Sequence, residues 1–191
     1  MTKNRLEYFS DAVIAIILTI MVLELKVPHS TSWEDILHLY PQFISYGLSF
    51  AFIAIYWVNH HHLLHAVRAV NSRILWTNML LLFSLSLIPW GTAVMGEHHF
   101  EQNSVILYTL LCLLPAIAYA LLSSAIITSH NPDQRVLGIL KEMKTKEIAS
   151  LVLYALSLIF SLVYTPISLL LVFGVSCMWL IPSKKLERIF E

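Results

Sequence analysis

A carboxylate, a hydroxyl and a run of imidazoles stand out from a chain that is otherwise apolar. Ser10 and Asp11 open a stretch in which Thr19 is the only polar side chain between Ala12 and Leu23, and Arg5 and Glu7 precede them by about a turn. The second group is Trp57-Val58-Asn59-His60-His61-His62-Leu63-Leu64-His65. Four kinds of chemistry are open to these residue types. Ser10, Asp11 and a histidine have the makings of a hydrolytic site, but adjacent residues on a helix point about 100° apart and no oxyanion-hole motif accompanies them. His61 and His65, spaced i and i+4, suit a metal ion, yet no Cys or carboxylate stands beside them. Asp11 with His60 or His61 is a candidate proton relay, because imidazole titrates near neutral pH. The fourth reading is a structural hydrogen-bond network, in which a histidine N–H or the Trp57 indole donates to Asp11 and Arg5 neutralises it. The relay and the network both stay open at this point.

The elements that must position these groups are membrane helices. Of the 191 residues, 58% are hydrophobic, and the mean hydropathy of +0.72 is far above that of a soluble domain. Six apolar stretches of roughly 20 residues are expected as spans, at about 6–26, 41–65, 74–95, 104–128, 148–164 and 166–182. They form one membrane domain over residues 1–191 with no room for a large soluble module. The interruption of the first stretch by Asp11, and the lack of a small-residue cleavage site after it, argue that it is retained and not removed as a signal peptide.

Between the spans, Ser32-Trp33-Glu34-Asp35 reads as a helix start with an acidic first turn. Pro115 predicts a kink in the fourth span, and 130–147 reads as the one substantial polar connection, opened by a turn at Asn131-Pro132-Asp133. Cys112 and Cys177 read as small packing residues, with no disulfide framework or metal site. A formal net charge of zero gives no steering towards nucleic acid. The placement of charge is more telling than its sum. Eleven of the twelve Lys and Arg residues fall at span ends on one side, and only Lys26 falls on the other. That bias places both termini in the cytoplasm of a multi-pass cell-membrane protein.

A carboxylate at a membrane helix centre costs roughly 2.5–3.5 kcal/mol, and less near an end, so Asp11 marks a functional or anchoring position. Around that helix, Ile16, Ile20 and Leu23 share one face, Thr19 lies at its edge, and Asp11 points roughly 140° from Ile16. Aliphatic residues in such a stripe face lipid or core far more often than a pore.

Arg5-x-x-x-Phe9-Ser10-Asp11 at the start of a first membrane helix, with Trp57-x-x-His60-His61 in the second, resembles the transmembrane protein 175 family of potassium-permeable channels. The resemblance extends over all six expected spans. It implies an all-α fold with six helices per subunit, assembled as a homotetramer whose pore is lined by the first helix. The Arg-x-x-x-Phe-Ser-Asp pattern does not recur in the fourth span, so one chain cannot enclose a pathway and closed cyclic symmetry must supply the other copies. On this resemblance Ile16 matches the hydrophobic constriction, Ile20 and Leu23 the further aliphatic layers, and Thr19 the hydroxyl near the constriction. Arg5, Phe9, Ser10, Asp11, Trp57, His60 and His61 match the network that holds the pore helix. Ala12 departs from the Gly usual there.

No Thr-Val-Gly-Tyr-Gly filter is present. Potassium preference must then come from constriction size and hydroxyl groups and be modest. Asn78 and Pro89 also resemble the family and read here as helix packing and a kink. The expected partners are further copies of the chain, the bilayer and permeant monovalent cations, with no cofactor and no catalysis. A proton-coupled transporter using Asp11 and His60 or His61 is the alternative, though such transporters commonly carry inverted repeats and interrupted helices.

Overall fold

The computed structural model describes residues 2–67, 69–129 and 134–180. Those residues are helical throughout apart from short connections, with no strand among them. The elements are α1 (Lys3–Leu23), α2 (Trp33–His38), α3 (Tyr40–His65), α4 (Ser72–Ser86), α5 (Ile88–Glu97), α6 (Gln102–Ser129), α7 (Gln134–Ser161) and α8 (Thr165–Leu180). Among the described residues, four helical stretches are long and apolar enough to cross a membrane: α1, α3, the α4–α5 pair and α6. A later hairpin of α7 and α8 packs on itself and on α6.

Local chemistry explains most boundaries. The short α2 starts where Ser32 accepts from the Asp35 amide at 3.2 Å, as the acidic first turn predicts. Asn71 caps α4 by accepting from the Ile74 amide at 2.9 Å. The third expected span is not one helix but two, broken at Leu87. Pro89 has no N–H to give the Leu85 carbonyl, and the chain tightens there, Leu87 donating to Ser84 at 3.4 Å. The helix after the break lies close to its neighbours. A Cβ added at Gly96 would stand 2.9 Å from the Gln42 Cα, so only glycine lets α5 approach α3 this closely.

One expectation needs correcting. The polar connection drawn over 130–147 is helical from Gln134 onward, because α7 runs as one helix to Ser161. From Gln134 its polar residues belong to a helix, not a loop. Helix α6 runs through Pro115 from Gln102 to Ser129, with the proline inside the helix where a kink is expected. The turn expected at Asn131-Pro132-Asp133 and the basic tail from Lys184 lie outside the described residues. Cys112 is buried as expected of a packing residue, while Cys177 is exposed.

The core lies between α1, α3, α4, α5 and α6, with Ile14, Ile53, Leu81, Leu85, Ile88 and Val105 fully enclosed. Buried hydroxyls join these helices too: Ser49 of α3 lies 2.8 Å from the Tyr108 hydroxyl of α6 and 2.7 Å from Thr92 of α5. In a medium without water such bonds satisfy groups that would otherwise be orphaned.

Candidate pore-forming helix and its polar anchor

Helix α1 has two unlike faces. Leu6, Ser10, Ile14, Ile17 and Met21 are buried, spaced three and four residues apart so that they form one stripe against α3 and α4. Arg5, Phe9, Ala12, Ile16, Thr19, Ile20 and Leu23 are exposed in the single protomer. Ile16 is 56% and Leu23 78% exposed. The aliphatic stripe is therefore the uncovered face of the helix, whereas Leu18 packs half-buried against the core. Thr19 Oγ1 donates to the Ile16 carbonyl at 2.9 Å. Its proton is committed to the backbone, and its oxygen lone pairs are what it offers outward.

The polar groups at the amino-terminal end of α1 divide into two sets. Ser10, wholly buried, donates to Leu6 O at 2.8 Å. It accepts from Asn78 Nδ2 of α4 at 2.9 Å. Asn78 Oδ1 lies 2.7 Å from His60 Nε2 of α3. Because a carbonyl oxygen only accepts, His60 carries its proton on Nε2. The bonds run in one direction, from His60 through Asn78 and Ser10 to the Leu6 carbonyl, and they tie α3, α4 and α1 together. The remaining nitrogen, His60 Nδ1, is buried with no hydrogen-bond partner. A doubly protonated imidazolium would leave an orphaned N–H there.

Asp11 belongs to the second set, being half-buried and accepting from Trp57 Nε1 at 2.9 Å. The indole donor expected for Asp11 is thus present. His60 bonds to Asn78 and not to Asp11, so the directly bonded Asp11–His60 pair that a relay would use is not formed. His61 bonds to neither Ser10 nor Asp11; its Nε2 lies 3.1 Å from His65 Nε2, one turn along α3.

Arg5 does not neutralise Asp11. Arg5 is exposed on the uncovered face with Phe9, and the ion pairs formed among the described residues are Lys3–Glu7 and Lys26–Glu97. The reason is angular. Six residues turn a helix through about 240° beyond one full revolution, which puts Arg5 and Asp11 on different sides. Two residues of the anchor escaped sequence reasoning. Asn78, read as ordinary packing, is the centre of the buried network. Lys3, near the chain's start, donates to the His65 carbonyl at 3.1 Å and so joins the ends of α1 and α3.

Comparison with known proteins agrees with this arrangement. The profile of the family described as the endosomal/lysosomal potassium channel TMEM175 matches residues 5–89, which hold α3, α4, all but the first two residues of α1 and every residue of the anchor except Lys3. A potassium channel of Chryseobacterium sp. (strain P1-3) is 44% identical over 188 residues, covering 98% of this chain and 97% of that one. A potassium channel of Streptomyces collinus is 33% identical over 143 residues, covering 70% of this chain and 69% of that one. The crystal structure of a TMEM175 homologue from Chamaesiphon minutus superimposes with a TM-score of 0.83 at 26% identity, covering 93% of this chain and 95% of that one. A 44%-identical relative spanning nearly the full length, a matching profile and a shared fold make this chain a member of the TMEM175 family.

Proposed function

We propose that this chain is one subunit of a homotetrameric, potassium-permeable channel with six spans per subunit, its pore lined by α1. One observation carries the reading: the aliphatic stripe of Ile16, Ile20 and Leu23 is left uncovered while the opposite face of α1 is locked into the protomer core. In a family of potassium channels, a helix anchored on one side and bare on the other suits an axis shared by several copies. Ile16 is the narrowest ring, Ile20 and Leu23 add further apolar layers, and water is expelled between them without any charge. The Thr19 hydroxyl turns its lone pairs outward beside that ring and gives a modest preference for potassium. Arg5 and Phe9 continue the bare face towards the amino terminus, where a neighbouring copy meets them. The basic residues at one side of the spans support cytoplasmic termini and a cell-membrane location.

Liposomes loaded with potassium and containing the purified protein test this reading. Potassium flux with no proton gradient supports a channel. Flux that strictly requires a proton gradient replaces it with a coupled transporter.

A further inference from the structure

A second polar centre lies on the other side of α3, where α6, α7 and α8 meet it. A half-open cavity of about 30 Å³ is lined there by Tyr56, Asn59, Tyr119, Glu147, Ser150 and Trp179, among others. That volume holds roughly two waters or one ammonium head group. Glu147 is only 6% exposed. The buried Ser123 hydroxyl is the donor beside it, though no bond of ordinary geometry reaches Oε1. A carboxylate removed from water with a single hydroxyl beside it is costly, and a structure that keeps one calls for a cation to meet it.

The neighbouring bonds say which. Asn59 commits its amide nitrogen to the carbonyls of Ile55 at 2.8 Å and Trp179 at 3.2 Å, so the acceptor Oδ1 is what remains. Ser150 donates to the Lys146 carbonyl at 2.8 Å and receives the Trp179 indole at 2.7 Å, which again leaves only acceptor capacity. Tyr119 spends its proton on the Asn59 carbonyl at 3.2 Å. Asn59, Ser150 and Tyr119 thus offer the cavity acceptor capacity alone. Around them stand aromatic rings, with Tyr119 edge-on to Trp179 at 5.5 Å and to Tyr56 at 6.0 Å. Lys146 Nζ already lies 5.8 Å from the Trp179 ring centroid, so the indole receives a cation on its face in this very structure.

We propose that the cavity between α3, α6, α7 and α8 binds a primary alkylammonium group, its charge on Glu147 and its first methylenes against Tyr56, Tyr119 and Trp179. The ammonium group comes either from a lipid head group such as phosphatidylethanolamine or from a free amine. The site is independent of the pore on α1, and its test is binding, not flux.

The test is calorimetric titration of propylammonium chloride into the full chain held in phosphatidylcholine nanodiscs, with 1-propanol as the uncharged isostere. Saturable heat from the amine and none from the alcohol is expected. Glu147→Gln keeps the shape and removes the charge, and should weaken binding by about tenfold or more, since the ion pair is the main attraction. Trp179→Leu keeps the carboxylate and should weaken it by a few-fold. In phosphatidylethanolamine nanodiscs, disappearance of the titration identifies the lipid as the natural source, and an unchanged titration identifies a free amine. Absence of saturable heat in phosphatidylcholine overturns the proposal, as does equal affinity in Glu147→Gln. Where Glu147→Gln yields no folded protein, unchanged affinity in Trp179→Leu overturns it instead.

Discussion

Asn59 and His60 are neighbours on α3, about 100° apart around the helix, and they feed two polar clusters of opposite character. His60 enters a closed set. Its Nε2 proton goes to Asn78, Asn78 donates to Ser10, and Ser10 donates to the Leu6 carbonyl. Asn59 borders an open set, in which Glu147 Oε1 and Ser123 Oγ are buried and unmatched. The contrast separates two uses of buried polarity in an apolar bundle. Where donors and acceptors pair in a continuous run, with His60 Nδ1 alone left over, the cluster fixes one helix against two others and has little left over to bind. Where acceptors are in excess, the cluster adds little to stability and keeps affinity in reserve. The first kind belongs behind a helix that must stay still, which is where α1 carries its uncovered face.

The comparison is broken most severely at Asn78. Asn78→Leu conserves approximate volume but orphans the His60 Nε2–H and removes the donor to Ser10. At about 1–3 kcal/mol for each buried unsatisfied group, and less for a group that finds a partner in the unfolded membrane state, the loss should be about 2–4 kcal/mol. Thermal denaturation in detergent, with assembly followed by size exclusion, measures it. By contrast, Glu147→Gln removes a buried charge that forms no ion pair among the described residues, so without ligand it should leave stability within about 1 kcal/mol or raise it. Equal losses from both substitutions would erase the distinction between closed and open clusters.

The uncovered face of α1 gives the next effect in size. If Ile16 forms the ring proposed for it, Ile16→Asn should wet that ring and raise potassium leak several-fold, while Leu18→Asn, half-buried against the core, should lower stability without opening a pathway. Single-channel recording of both variants decides it. Leak raised by Leu18→Asn but not by Ile16→Asn would place the pathway on the other side of the helix.

Much of this was legible from residues alone, and the failures have a common cause. That Ile16, Ile20 and Leu23 share a face followed from helix angle alone, because one helix face is a one-dimensional problem, while its part in a pore came only from the resemblance. The Ser32 start and the Pro89 break were legible because their chemistry is local. Partner choice was not. Asp11 had candidate donors in Trp57, His60 and His61, and helix rotation, set by the whole bundle, gave it Trp57. The Arg5–Asp11 pairing could have been dismissed by angle, since six residues do not bring two side chains to one face. Asn78 did carry a signal: a lone amide within an apolar span must bond to something. What no sequence pattern shows is that Ser10 and His60 are the groups it bonds. Nor did the polar residues before Glu147 reveal that α7 begins at Gln134, since a charged helix face and a charged loop share one composition.

A smaller effect is expected at Asp11. Asp11→Asn keeps an acceptor for the Trp57 indole and loses only the charge assistance, in a pair that is half-exposed. The cost should be about 1 kcal/mol, well below that of Asn78→Leu. It should appear as weaker assembly, since the pair lies beside the uncovered face. A stable tetramer that loses proton sensitivity alone would instead revive the relay.

The smallest effect concerns Thr19 and tests how the uncovered face tells one cation from another. Its hydroxyl proton is held by the Ile16 carbonyl, so on the proposed pore reading the oxygen presents its lone pairs to a dehydrating cation. Thr19→Val keeps the branched shape and the helical rotamer and deletes the oxygen. The backbone carbonyl freed at Ile16 remains in its helix hydrogen bond, so the fold should be undisturbed and conductance close to normal. One hydroxyl per subunit beside a constriction is a weak coordinating set compared with a stack of carbonyls, and its removal should lower the potassium-over-sodium permeability ratio by only about two- to fivefold. Reversal potentials under bi-ionic conditions in planar bilayers measure the ratio directly. An unchanged ratio at normal conductance would leave the apolar ring as the source of discrimination and take Thr19 off the permeation path.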